Sequence, residues 1–174
     1  ALMLGAFMIA STSCKKESED FDLGTAANDT YTTAVTNTVD QNADRASFKH
    51  HLNNPEGWLD NLPECATATE RMPQESKYPK IITIEFSPTN CTTAEGKTIR
   101  GQIVVELSDA YHIQGASRTI TFIDLYINDR SVEGTRNSVN MGENANGNYV
   151  YSYSSEMTFS CQDGQGMTKT SSGT

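Results

Sequence analysis

Beyond Pro63 the chain is written with a period of two, and that alternation leaves little choice of architecture. Ile82, Ile84 and Phe86 alternate with Thr83, Glu85 and Ser87. Ile99, Gly101, Ile103, Val105 and Leu107 alternate with Arg100, Gln102, Val104 and Glu106. Successive side chains on a strand point to opposite faces, so each run presents one apolar and one mostly polar face, as in an antiparallel sheet with one side in water. Ser117 to Asn128 continues with Ile120, Phe122 and Tyr126 on one side and Ile123, Leu125 and Ile127 on the other, which predicts a strand covered on both faces. Val132 to Val139, Tyr149 to Tyr153, Glu156 to Cys161 and Met167 to Ser171 read as further, weaker strands. Turn chemistry from Gly142 to Gly147 and from Asp163 to Gly166 punctuates them.

The strands echo one another. Thr83-Ile84-Glu85-Phe86, Thr119-Ile120-Thr121-Phe122 and Glu156-Met157-Thr158-Phe159 start 36 and 37 residues apart, and Lys97 to Gly101 matches Arg130 to Gly134. A fixed period of this length suggests stacked copies of one hairpin, with Phe86, Phe122 and Phe159 as equivalent core residues. The third copy stops at Thr174, so a closing strand is expected beyond it. Before the strands, Ala27, Tyr31, Ala34, Val35, Val39, Ala43 and Phe48 recur near helical spacing until Asn53-Asn54-Pro55-Glu56-Gly57 breaks the pattern. Trp58, Leu59 and Leu62 then anchor the connection. The expected fold is mainly β: an antiparallel β-meander of repeated hairpins, which could curl toward a half-barrel, with one N-terminal α-helix. A β-sandwich is the alternative. Residues 25–174 form one domain in this reading, 25–62 being helix and connection and 63–174 the meander.

The first residues carry an address. An apolar run, Ala1 to Ala10, leads through Ser11-Thr12-Ser13 to Cys14 and then Lys15-Lys16-Glu17-Ser18-Glu19-Asp20. About ten apolar residues cannot span a bilayer core that takes about 20, but they suit the h-region of a secretory signal peptide. The arrangement resembles the lipobox of bacterial lipoproteins, with Ser11 where that pattern prefers Leu. The resemblance implies cleavage after Ser13 and acyl chains on Cys14. Residues 1–13 are then a leader whose initiator Met and basic n-region are expected upstream of Ala1, and residues 14–24 an acidic, solvated tether.

A second resemblance covers Cys65 to Ser172. It rests on Tyr78-Pro79-Lys80-Ile81-Ile82-Thr83-Ile84-Glu85-Phe86, Asn90-Cys91-Thr92, Gly96 to Val105, Arg118-Thr119-Ile120-Thr121-Phe122, Tyr126-Ile127-Asn128 and Val132-Glu133-Gly134-Thr135. In these the chain resembles an uncharacterised lipoprotein family of Bacteroidetes. The resemblance implies a location and a fold, namely lipid anchoring in the outer membrane, facing the cell exterior or the periplasm. It implies no catalytic or ligand residue.

Charge excludes some partners. A formal net charge of −9 and a pI near 4.7 argue against nucleic acid, whose binders present a basic face, and against electrostatic adhesion to anionic lipid. With Cys14 acylated, Cys65, Cys91 and Cys161 remain. A hairpin about Tyr78 sets Cys65 opposite Cys91, within disulfide reach. Cys161 is left over on the strand face of Met157 and Phe159.

Few constellations suggest chemistry. His50-His51 are adjacent, about 100° apart on a helix, and so ill placed to share a metal. Ser108-Asp109 with His112 lacks a nucleophile elbow. Glu85, Glu106, Asp124 and Glu133 could pair as acid and base, but acids on a wetted sheet face need no such purpose. Asn144 to Asn148 has too few carboxylates for an EF-hand-type calcium loop. Tyr149, Tyr151 and Tyr153 form a one-faced ladder that could stack on sugar rings or a partner, or simply pack across strands. The expectation is therefore no catalytic residue, metal or cofactor. The expected partners are the membrane, through the N-terminal lipid, and a protein or glycan. Non-enzymatic binding or scaffolding is the leading function, with a glycan-binding module or glycan-active enzyme as the alternative.

Overall fold

A computed structural model of the chain describes residues 32–44, 62–72, 77–93, 96–160 and 166–174. Cys14, Cys161, the His50-His51 pair and Trp58 lie outside the described residues. Seven strands follow one another: β1 (Ala66–Arg71), β2 (Lys80–Thr92), β3 (Thr98–Leu107), β4 (Ser117–Ile127), β5 (Arg130–Glu143), β6 (Tyr149–Ser160) and β7 (Gly166–Gly173). Each pairs antiparallel with its neighbour in the chain, in the order β1-β2-β3-β4-β5-β6-β7, so the sheet is an open meander. A helix, α1, covers 32–44. The two separate strands expected around Tyr149 and Met157 are one, β6.

Alternation explains the faces. Ile82, Ile84 and Phe86 of β2, Ile103, Val105 and Leu107 of β3, and Met157 and Phe159 of β6 are buried on the inner face. The outer face is mostly hydroxylated. One row across it reads Thr69, Thr83, Val104, Thr121, Thr135, Glu156 and Thr170, one residue from each strand. At the β7 edge Lys169, which pairs with Met157, is turned to the inner side; an inward charge on an edge strand discourages pairing with another chain.

The echoing segments fall on β2, β4 and β6, and their companion pieces open β3 and β5, so the repeated unit is a hairpin. Each companion piece ends on a glycine with positive φ, Gly101 at 95° and Gly134 at 113°. At both, a Cβ would sit 2.1 Å from a backbone oxygen of the adjacent strand, that of Asp124 or of Glu156. The repeat therefore conserves a place where two backbones come too close for a side chain.

The expectation for β4 needs correction. Its register to β5 shifts between Thr121 and Leu125, and Asp124 there has φ 46°. A bulge adds a residue and reverses the alternation beyond it. Ile120, Leu125 and Ile127 are consequently all buried, whereas Ile123 is 49% exposed. Phe122, next to the irregularity, is half-buried against the core and is not equivalent to Phe86 and Phe159.

Cys65 and Cys91 are joined by a disulfide, with Cα atoms 5.7 Å apart. The hairpin register expected to bring them together is not the cause. Ala66 pairs with Phe86, where a hairpin about Tyr78 would set it against Asn90. Between Phe86 and Cys91 the β2–β3 register shifts, and this irregularity returns Cys91 to Cys65. The bridge spans 26 residues of sequence; on the loop-entropy model it stabilises by about 3.5 kcal/mol. Urea titration with and without reductant is expected to show that loss, and equal unfolding free energies would contradict it.

In α1 the buried residues Thr32, Val35, Thr38, Val39, Asn42 and Ala43 recur every three or four positions and form one face. Half are polar, and two of these find a partner for a buried donor by bonding back one turn. Thr38 Oγ1 donates to the Ala34 carbonyl at 2.9 Å, and Asn42 Nδ2 to that of Thr38 at 2.8 Å.

Candidate functional site

The helix crosses the inner face from β7 to β4, and polar pairs mark its path. Lys169 Nζ donates to Thr32 Oγ1 at 3.3 Å. Arg136 on β5 grips Asp40 with two hydrogen bonds, Nε to Oδ1 at 2.6 Å and Nη2 to Oδ2 at 2.7 Å. Arg118 on β4 pairs with Asp44. From the start of β3, Lys97 Nζ reaches Thr38 Oγ1 at 2.6 Å and the Ala34 carbonyl at 3.0 Å. Burial holds the Asp40 carboxyl above its ordinary pKa, outweighing the downward pull of Arg136.

Past the end of α1, the β3–β4 connection folds over the inner face. Tyr111 is buried there, its ring stacked on Tyr151 with centroids 4.8 Å apart and its hydroxyl 2.6 Å from Ser138 Oγ. Asn140 Nδ2 donates to the Tyr111 carbonyl at 3.0 Å, and the Arg118 guanidinium lies 4.5 Å from the ring centroid. Burial, with Tyr111 and Tyr149 alongside, raises the Tyr151 pKa, so its hydroxyl stays protonated at neutral pH.

The tyrosine ladder is thus on the inner side and is divided. Tyr151 is covered by Tyr111, and Tyr149 tilts against it at 6.5 Å. Tyr153 stands apart, 37% exposed, with Arg136 5.2 Å from its ring centroid. Beside Tyr153 a cleft of about 170 Å³ opens between α1 and β5 to β7. Its origin is visible in one inward row: Ile82, Val105, Ile120, Arg136, Ser155, Ser171. The row is apolar over β2 to β4 and polar over β5 to β7, where the cleft lies.

The chain matches no family model, no curated protein and no solved structure.

Of the carboxylate candidates, Asp124 and Glu133 flank the Leu125–Val132 pair on adjacent strands, at the β4 bulge and away from the cleft, whereas the other two are far apart. Glu85 pairs with Gln102, four residues along β3 from Glu106, a separation of about 13 Å at strand rise and beyond the spacing of a glycosidase pair. Ser108 Oγ accepts the Ser117 N–H at 2.8 Å and Asp109 Oδ1 that of Ala110 at 2.7 Å, so both serve the turn. Among the described residues no three His, Cys, Asp or Glu side chains gather as a metal site would require. Sequence reasoning missed Arg118, Arg136, Asp40, Asp44 and Tyr111. A signal existed for four of them: two arginines at inward strand positions and two aspartates one helical turn apart.

Proposed function

We propose that this chain is a lipid-anchored protein of the outer-membrane surface that binds or scaffolds rather than catalyses. The anchor rests on Cys14 in its lipobox-like setting, and the acids that follow it resemble the stretch that directs Bacteroidetes lipoproteins to the outward-facing side. Among the described residues no helix is long and apolar enough to cross a membrane, so in this reading attachment falls to the lipid. Two or three acyl chains hold a protein on a bilayer where one is marginal. Cys14→Ala is therefore expected to move the protein from the membrane fraction to the soluble fraction, and continued sedimentation with membranes would overturn the anchor.

The observation that carries the binding reading is the cleft beside Tyr153, which opens on the inner face between α1 and β5 to β7. Crosslinking on intact cells followed by capture tests it through the partner recovered. A glycan-binding module is the second reading, favoured by an exposed tyrosine ring next to an oriented Arg–Asp pair.

A further inference from the structure

We infer that the cleft between α1 and β5 to β7 takes a single sugar ring, packed against the exposed part of Tyr153 and hydrogen-bonded through Arg136 and Asn37; the inference rests on the glycan-binding reading. A pyranose has an apolar C–H face and a periphery of hydroxyls that donate and accept. The cleft offers a counterpart to each. Tyr153, 37% exposed, supplies the open part of a ring that Arg136 flanks at 5.2 Å and Gly173 adjoins, and the buried Met157 and Phe159 form the apolar floor. An aromatic ring with a polar tip suits an amphipathic ligand of this kind.

The polar side is equally specific. A guanidinium carries five N–H donors, and Asp40 engages one from Nε and one from Nη2, which fixes the plane of Arg136 and leaves donors for a ligand oxygen. Across the cleft Asn37 is exposed on α1, and its amide both donates and accepts. Ser155 and Ser171 add hydroxyls from β6 and β7 that bond each other at 2.8 Å, and Lys169, which also donates to Thr32, adds a cation.

Size sets the class. A volume of about 170 Å³ equals the share of roughly five or six waters at about 30 Å³ each and falls below the roughly 300 Å³ at which drug-sized sites begin. The six ring atoms of a pyranose match that volume; its outer hydroxyls, and any further sugar, would extend out of the cleft. No carboxylate is among the lining residues, so the acid and base of glycoside hydrolysis are missing from the place where the ring would sit. The inference also replaces a continuous tyrosine platform, since Tyr151 is covered by Tyr111.

The test is a two-dimensional NMR titration of the full chain with the methyl glycosides of glucose, galactose, mannose and N-acetylglucosamine. At least one is expected to shift the Asn37 side-chain amide and Arg136 Nε in a saturable way. Tyr153→Ala should weaken that binding about tenfold, the loss of one stacking contact with its buried area. Asn37→Ala, at an exposed helix position where the fold is retained, should also weaken it, whereas Tyr149→Ala should leave it unchanged. Saturable shifts around Tyr149 instead, or binding insensitive to both Tyr153→Ala and Asn37→Ala, would overturn the cleft and leave glycan binding standing. No shift with any of the four sugars, together with a protein captured on intact cells, would overturn the sugar proposal and leave the surface-binding reading intact.

Discussion

Phe86→Ala is expected to lower the unfolding free energy by about 3–5 kcal/mol, the range for emptying a fully buried aromatic site. Phe86 is 1% exposed and sits among the core residues beside the Cys65–Cys91 bridge. Phe159, at 3%, belongs to the same range. Phe122 does not: it is half-buried at the β4 bulge, and Phe122→Ala should cost only about 1–2 kcal/mol. Three urea titrations decide the matter. Equal losses at Phe86 and Phe122 would mean that the bulge lies elsewhere and that the three phenylalanines are equivalent after all.

Gly101→Ala is expected to cost about 3 kcal/mol or more, because two effects act together. At φ 95° an L side chain is strained whatever the space. Here there is also no space, the new Cβ lying 2.1 Å from the Asp124 oxygen and 2.8 Å from that of Ile123. Both contacts are to backbone, so relief requires β3 and β4 to part. Gly134→Ala meets the Glu156 oxygen at 2.1 Å and should behave alike. Gly115→Ala is the control: its φ is 87°, yet nothing lies within 4 Å, so only the conformational strain of about 1–2 kcal/mol is due. If Gly101→Ala melts with Gly115→Ala, the close approach is not real. Gly101 also pairs with Phe86, so losses from substituting both should not add.

Much of this architecture is legible in the residues. The alternation from Ile82 to Phe86 and from Ile99 to Leu107 gives two strands with their correct inner faces, and the echo from Thr83 to Phe159 identifies the hairpin as the unit. Bulges are what alternation cannot see. A single extra residue near Asp124 leaves Ile123 on the outer face and moves Leu125 and Ile127 to the inner one, and nothing in the local pattern announces it. The spacing gives the Cys65–Cys91 pairing but not its register, because an irregularity in β2 brings Cys91 back alongside β1. The candidate site is harder still. Period two marks Tyr149, Tyr151 and Tyr153 as one face, but which of them is open depends on Tyr111, brought over Tyr151 by a connection with no periodicity of its own. The cleft depends on α1, whose pairs with Arg118, Arg136 and Lys169 join residues 74, 96 and 137 positions apart.

Those separations set the helix against the rest of the molecule in time. Every strand pairs with the one made just before or after it, so the sheet can grow hairpin by hairpin as synthesis proceeds from the N-terminus. The helix precedes all of them in the chain, yet Arg136 and Lys169 come 96 and 137 residues after the groups they bond. Its inward face must therefore wait, uncovered, until those strands appear. An ordinary apolar stripe would be adhesive during that interval. Thr32, Thr38 and Asn42 make this one half polar, and the last two bond back to their own helix, so the segment can remain unassociated until its docking surface exists.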